Sequence, residues 1–307
     1  MTIGEDLDGV LKSLQQGYDG VFHDISDLDE RFNRLRARVE ILEASQTPQE
    51  PPEDPPDEEP EPEPEGILLE DSGALQSVID DHPGATFILS GEYRNFHDIQ
   101  PRPNQEFIGD GTAKVIGNGN WTSAIVGGRK NGTRHPGPVL LKNIEFTGYA
   151  PTMGDGPYGP AGVIAAWLAD DWTFEDLYIH GNGGDGEGLR FGTRAKVIHC
   201  KVTDNAGMGL GGHGSDWLVE DCEIARNRGA NSGHTGGAKV VYSVGGLFKD
   251  NYVHHNVGTG LWDDIDNKGV IYEGNLCEHN TERGIATEIS YDTIIRGNTC
   301  NYNGAEF

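Results

Sequence analysis

Six lines of nine residues end in asparagine: FEDLYIHGN (174–182), VIHCKVTDN (197–205), VEDCEIARN (219–227), FKDNYVHHN (248–256), YEGNLCEHN (272–280) and IRGNTCNYN (295–303). Their asparagines, Asn182, Asn205, Asn227, Asn256, Asn280 and Asn303, are separated by 23, 22, 29, 24 and 23 residues. So short a period, with strand-like alternation and Gly or Asn at the corners, is one coil of a parallel β-solenoid, since no single coil can bury its own apolar face. Position one of each line (Phe174, Val197, Val219, Phe248, Tyr272, Ile295) is expected to point inward. So are position four (Leu177, Cys200, Cys222, Asn251, Asn275, Asn298) and position six (Ile179, Val202, Ile224, Val253, Cys277, Cys300). Asn251, Asn275 and Asn298 are placed to form a ladder of side-chain amides. The terminal asparagines suit turns, because Asn tolerates the left-handed conformation.

Two other segments precede the repeat. Between Leu7 and Leu42 apolar residues recur at spacings of three and four, with Leu11, Tyr18, Ile25, Phe32 and Val39 in one register. Leu7, Leu14, Val21, Leu28, Leu35 and Leu42 occupy the other. That seam has a period of about 3.5 residues and asks for a partner helix, so residues 1–46 are expected to oligomerise as a coiled coil. A lone amphipathic helix packed on its own domain is the alternative. Residues 47–66, TPQEPPEDPPDEEPEPEPEG, combine proline with repelling acids and are expected to form an extended spacer, or else a ligand for a proline-binding module.

With 50 acids against 23 bases, the chain should be repelled by phosphate backbones and anionic lipids, which argues against nucleic-acid and membrane roles. There is no run of 18 apolar residues to cross a bilayer. The start MTIGEDLDGV is acidic where a secretory signal would be basic, so export by that route is not expected. Of the four cysteines, Cys200 is expected over Cys222 and Cys277 over Cys300. They read as core-filling thiols, with a disulfide between stacked neighbours as the alternative, and no zinc-ligand spacing is present. No cofactor or metal is expected. Asp263, Asp264 and Asp266 carry oxygens suited to Ca²⁺, but alternation turns Asp263 inward if Asp264 faces outward.

On these residues the chain resembles the right-handed parallel β-helix proteins of the pectin-lyase-like superfamily, from residue 67 to 307. ALQSVIDDHPGATFILSGEYR and PNQEFIGDGTAKVIG resemble the start of that fold, a capping helix, a strand ending in Gly-x-Tyr and the first coil. GLWDDIDNKGVIYEGN and GIATEISYDTIIRGN are similar to its generic repeat. The implied fold class is all-β, a single-stranded right-handed parallel β-helix (67–307) after a helical stem (1–46) and a Pro/Glu-rich linker (47–66). A coiled coil, a spacer and a β-helix without a secretion signal together resemble a bacteriophage tail spike or tail fibre. That resemblance implies a virion tail protein made in the host cytoplasm and trimeric through residues 7–42. Its implied partners are other virion tail proteins and host surface polysaccharide. It also implies a further domain or a covering chain at the C-terminal end, because an open coil exposes unpaired edges. Polysaccharide depolymerase, as lyase or glycosidase, and structural virion connector are the competing readings. The acid cluster with a basic arginine of calcium-dependent pectate lyases and the YGFDPH-like motif of alginate epimerases do not stand in this sequence.

The second strand of each coil carries the candidate site. Aligning LRFG (189–192), LGGH (210–213), AKVV (238–241), LWDD (261–264) and IATE (285–288) puts Arg190, Gly211, Lys239, Trp262 and Ala286 in one outward column. Gly192, His213, Val241, Asp264 and Glu288 form another on the same face. Trp262, Arg190 and His213 are the candidate sugar-binding residues; Asp264 and Glu288, with Lys239 as charge stabiliser, are the candidate catalytic set. Coils about 4.8 Å apart bring the two carboxyls to roughly 5 Å, near the separation in retaining glycosidases, with one pKa expected to be raised. Sugar binding without chemistry and an ordinary solvated acidic face remain open. The inserts at 148–162 and 228–238 are expected to form loops.

Overall fold

Strands Leu247–Lys249, Tyr252–His254 and Leu261–Asp264 follow one another in the chain, yet each pairs in parallel with its counterpart one coil away and none pairs with its neighbour in sequence. The computed structural model describes residues 65–128, 134–135, 137–152, 162–229 and 235–304. Among these, the strands form three wholly parallel sheets of ten, nine and seven strands. Each of the seven coils between Gln105 and Glu288 contributes one strand to each sheet, the arrangement of a parallel β-helix. The expected coiled coil (1–46), its trimer contact and the linker as far as residue 64 lie outside the described residues.

The N-terminal end is closed by the helix Leu75–Asp81, which buries Leu75 and Ile79 against the first coil. A helix leaves its last carbonyls without partners. Here the buried Gln105 amide donates to the carbonyls of Ile79 (2.7 Å) and His82 (2.9 Å). Tyr93, last residue of the Gly-x-Tyr strand, is buried and its hydroxyl donates to the Leu69 carbonyl.

The inward columns follow the expected register: Phe174 pairs with Val197, Val197 with Val219, Val219 with Phe248, and Phe248 with Tyr272, all fully buried. Phe248 and Tyr272 stack with centroids 5.4 Å apart and planes 8° apart. Burying a side chain of this size stabilises the fold by roughly 1.5–3 kcal/mol. In the last described coil the columns emerge: Ile295 is 51% exposed and Cys300 is exposed, because no described residue stacks on them. Cys200, Cys222 and Cys277 are buried free thiols.

The terminal asparagines correct one expectation. None adopts the left-handed conformation; the residue before each one does, namely Gly181, Asp204, Arg226, His255, His279 and Tyr302, with φ between 53° and 63°. This single left-handed step turns the Asn side chain into the core. The amide Nδ2 of each donates to Oδ1 of the next, from Asn182 through Asn205, Asn227, Asn256 and Asn280 to Asn303, at 2.9–3.1 Å. From Asn205 onward, each Nδ2 also reaches a strand carbonyl of the coil before it, as Asn256 does to Ile224 at 2.9 Å. The ladder therefore satisfies backbone groups where the chain bends out of its sheets. Asn251, Asn275 and Asn298 form a second ladder at 2.8 Å, as expected.

Candidate functional site

The first outward column exists in the predicted register on the seven-stranded sheet, and the second keeps two of its expected pairs. Arg190 pairs with Gly211, Gly211 with Lys239, Lys239 with Trp262, and Trp262 with Ala286. His213 pairs with Val241, and Asp264 with Glu288. Asp263, as alternation requires, turns inward, and Tyr272, Thr287 and Thr293 each donate a hydrogen bond to its carboxylate.

Exposure departs from expectation. Arg190, Lys239 and Asp264 are on the outer face but only 9%, 7% and 7% exposed. They cover one another. The Lys239 ammonium lies 2.7 Å from the Asp264 carboxylate and 3.7 Å from the Trp262 ring centroid. Arg190 is 2.7 Å from Glu187 and stacks over Trp167 at 5.9 Å. Indole faces attract cations and shield their stems, so two ion pairs are withdrawn from water without leaving the surface.

The two candidate carboxylates, although directly opposite in register, differ in their partners. Asp264 faces Lys239 on the coil before it, whereas Glu288 on the coil after it is exposed, and among the described residues its carboxylate has no hydrogen bond. A buried carboxylate is drawn to an ammonium rather than toward a second negative charge. Asn267 fixes the strand end: its amide donates to the Asp264 carbonyl at 2.8 Å, ahead of two left-handed residues, Ile265 and Asp266.

Glu187, Trp167 and Tyr242 join the site, although the column alignment had not included them. Tyr242 is the extra residue of a bulge: register jumps between His213 and Gly214, and Tyr242 has φ of 51°. The bulge thrusts its ring outward, 54% exposed, with its centroid 6.2 Å from that of His213. Trp167 meets the other side of His213 edge-on at 5.9 Å. Gly211 provides the gap between Arg190 and Lys239, where a Cβ would come within 2.4 Å of the Glu187 carboxyl.

Burial, then the charges of Arg190 and Arg134, lower the His213 pKa below its usual 6.5, so the ring is neutral at pH 7. Burial raises the Glu187 pKa, with Arg190 acting in the opposite direction. Several buried atoms of this face lack hydrogen-bond partners: Glu187 Oε2, Arg190 Nε, His213 Nδ1, Trp262 Nε1 and Asp264 Oδ1. Leaving such groups unsatisfied is costly, and a hydroxyl-rich ligand supplies both donors and acceptors. Among the described residues no group of three or more His, Cys, Asp or Glu side chains is arranged to hold a metal ion.

Residues 162–306 match the family described as right handed beta helix region. No curated protein matches the chain. Among solved structures it is similar to the A-module of the Azotobacter vinelandii mannuronan C-5 epimerase AlgE6, at 12% identity and TM-score 0.32, over 76% of this chain and 96% of that one. It is also similar to the periplasmic alginate epimerase AlgG, at 10% identity and TM-score 0.34, over 72% of this chain and 82% of that one. A third similarity is to pectate lyase Pel9A, at 13% identity and TM-score 0.35, over 74% of this chain and 73% of that one. The three parallel sheets, the asparagine ladders and the match over residues 162–306 identify the fold as a right-handed parallel β-helix.

Proposed function

We propose that the outer face of the seven-stranded sheet binds polysaccharide, and that the chain is a virion-borne host-attachment protein presenting this face to cell-surface glycan. The observation that carries the binding reading is the Lys239–Trp262–Asp264 cluster, a partly exposed indole beside buried polar atoms that lack partners. An aromatic face suits the C–H face of a pyranose, and the open donors and acceptors suit its hydroxyls. The spacing of apolar residues by three and four between Leu7 and Leu42 supports a trimeric stem and, with it, the attachment role among other tail proteins.

A second reading, depolymerisation of the bound polysaccharide, is favoured by the neighbouring His213 and Glu187. Burial lowers the pKa of the first and raises that of the second, so a base and an acid on this face are drawn closer in strength. On this reading Asp264, Glu288 and Lys239 stabilise charge around the cleaved bond. The test is incubation of the full chain with capsular and lipopolysaccharide glycans, following both binding and chain length. Saturable binding with unchanged length supports attachment; shortened chains support the depolymerase. Absence of binding to every glycan would remove both and favour a structural connector.

A further inference from the structure

We propose a second ligand site on the outer side of the nine-stranded sheet, a groove that takes a short oligosaccharide bearing a carboxylate. The groove has a volume of about 450 Å³ and is lined by Tyr178, His199, Lys201, Thr203, Glu223 and Arg226, among others. Tyr178, Lys201 and Glu223 occupy one register position on three successive coils. A ligand lying along the solenoid axis therefore meets a ring, an ammonium and a carboxylate in steps of about 4.8 Å.

Each of these groups is prepared differently. Tyr178 is 38% exposed, and its ring stacks on His180 at 3.9 Å with 17° between the planes. His180 is itself held by Glu145 at 2.8 Å, so the platform is oriented before any ligand arrives. Arg226 is engaged by Asp204 through two bonds of 2.8 and 2.9 Å. Lys201 is different: it is exposed, and among the described residues no carboxylate lies within 4.0 Å of it. In a chain of net charge −27 such a cation is a local anchor for a carboxylate. On the floor, the Thr203 hydroxyl is 2% exposed, with the Asp204 carboxylate beside it but no hydrogen bond of good geometry. A ring for stacking, a cation for the carboxylate, and Glu223 and Thr203 for hydroxyls together match an acidic sugar.

The site shares no residue with the seven-stranded face, so the two fail independently. The full chain would be titrated with trigalacturonate and with neutral maltotriose, and followed by calorimetry and by perturbation of tyrosine signals. Trigalacturonate is expected to saturate the groove and to bind more tightly than maltotriose. Lys201→Ala should weaken it about tenfold and Lys201→Arg should restore it. Tyr178→Ala should weaken both ligands, whereas Trp262→Ala should leave trigalacturonate binding unchanged. Lack of saturation by about 10 mM, equal affinity for the two sugars, or binding lost through Trp262→Ala but not through Lys201→Ala would overturn the proposal. The two groove side chains are exposed, so unchanged thermal unfolding of their variants separates loss of binding from loss of fold.

Discussion

Lys239 holds its ammonium 3.7 Å from the ring centroid of Trp262, the residue directly opposite it on the next coil. The same nitrogen is 2.7 Å from Asp264, two residues farther along that strand. One lysine thus binds two side chains of the neighbouring coil and couples the stacking of coils to the shape of the outer face.

Removing the lysine should expose that coupling. Lys239→Met leaves Asp264 buried without its counter-ion and is expected to cost about 3–5 kcal/mol. The double variant Lys239→Met/Asp264→Leu should recover most of this while still failing to bind glycan. Chemical denaturation of both variants checks the first point, and glycan titration of the double variant checks the second.

The ladder makes Asn256 a sensitive polar position of the core. Its Oδ1 accepts from the backbone and side chain of Asn227 (3.0 and 3.1 Å), and its Nδ2 donates to the Ile224 carbonyl and Asn280 (both 2.9 Å). Asn256→Ala removes these four hydrogen bonds, leaving the buried Asn227 N–H without its acceptor, and should cost about 3 kcal/mol. Faster unfolding at fixed temperature is the appropriate readout if the unfolded chain aggregates.

His213 sets an acid-side limit. Its folded pKa is depressed below 6.5, so the unfolded chain takes up the proton more readily. The stability it contributes is complete above about pH 6.5 and falls as pH drops toward the folded pKa. His213→Gln should flatten this loss. Denaturation midpoints measured from pH 7 down to about 5 test it, and an unchanged slope would refute the assignment.

Cys300 should be the first thiol to react. It is exposed while Cys200, Cys222 and Cys277 are buried, and its hydrogen bond with Cys277 lowers its pKa to about 7. Alkylation of the native chain followed by mass mapping should find Cys300 alone modified, with a rate midpoint near that pH. Cys277→Ala should move the midpoint back toward the ordinary thiol value of 9.0.

Much of the coil was legible because it is periodic. The Asn-to-Asn spacing establishes which residues stack, and the alternation around Trp262 correctly assigns Asp263 and Thr287 inward and Lys239 outward. The conformational role of the asparagines was misplaced by one residue. Asn can occupy the left-handed region, yet an inward ladder of amides satisfies more buried groups when Asp204, Arg226 or His255 takes that step instead. Glu187 and Tyr242 escaped the alignment because the strand start and the bulge break the period on which it relied.

The sequence by itself determined the register, the faces and the core of the coils from Phe174 onward, because stacking coils of about 23 residues leaves a two-fold alternation little freedom. Only the tertiary structure decided which charges meet on the outer face. Register places Asp264 directly opposite Glu288, whereas Lys239 lies opposite Trp262, two residues away. The choice follows from the energy of withdrawing a carboxylate from water, which favours an ammonium beneath an indole over a second carboxylate. That preference turned two neighbouring acids into a lysine-centred cluster with an exposed Glu288 beyond it.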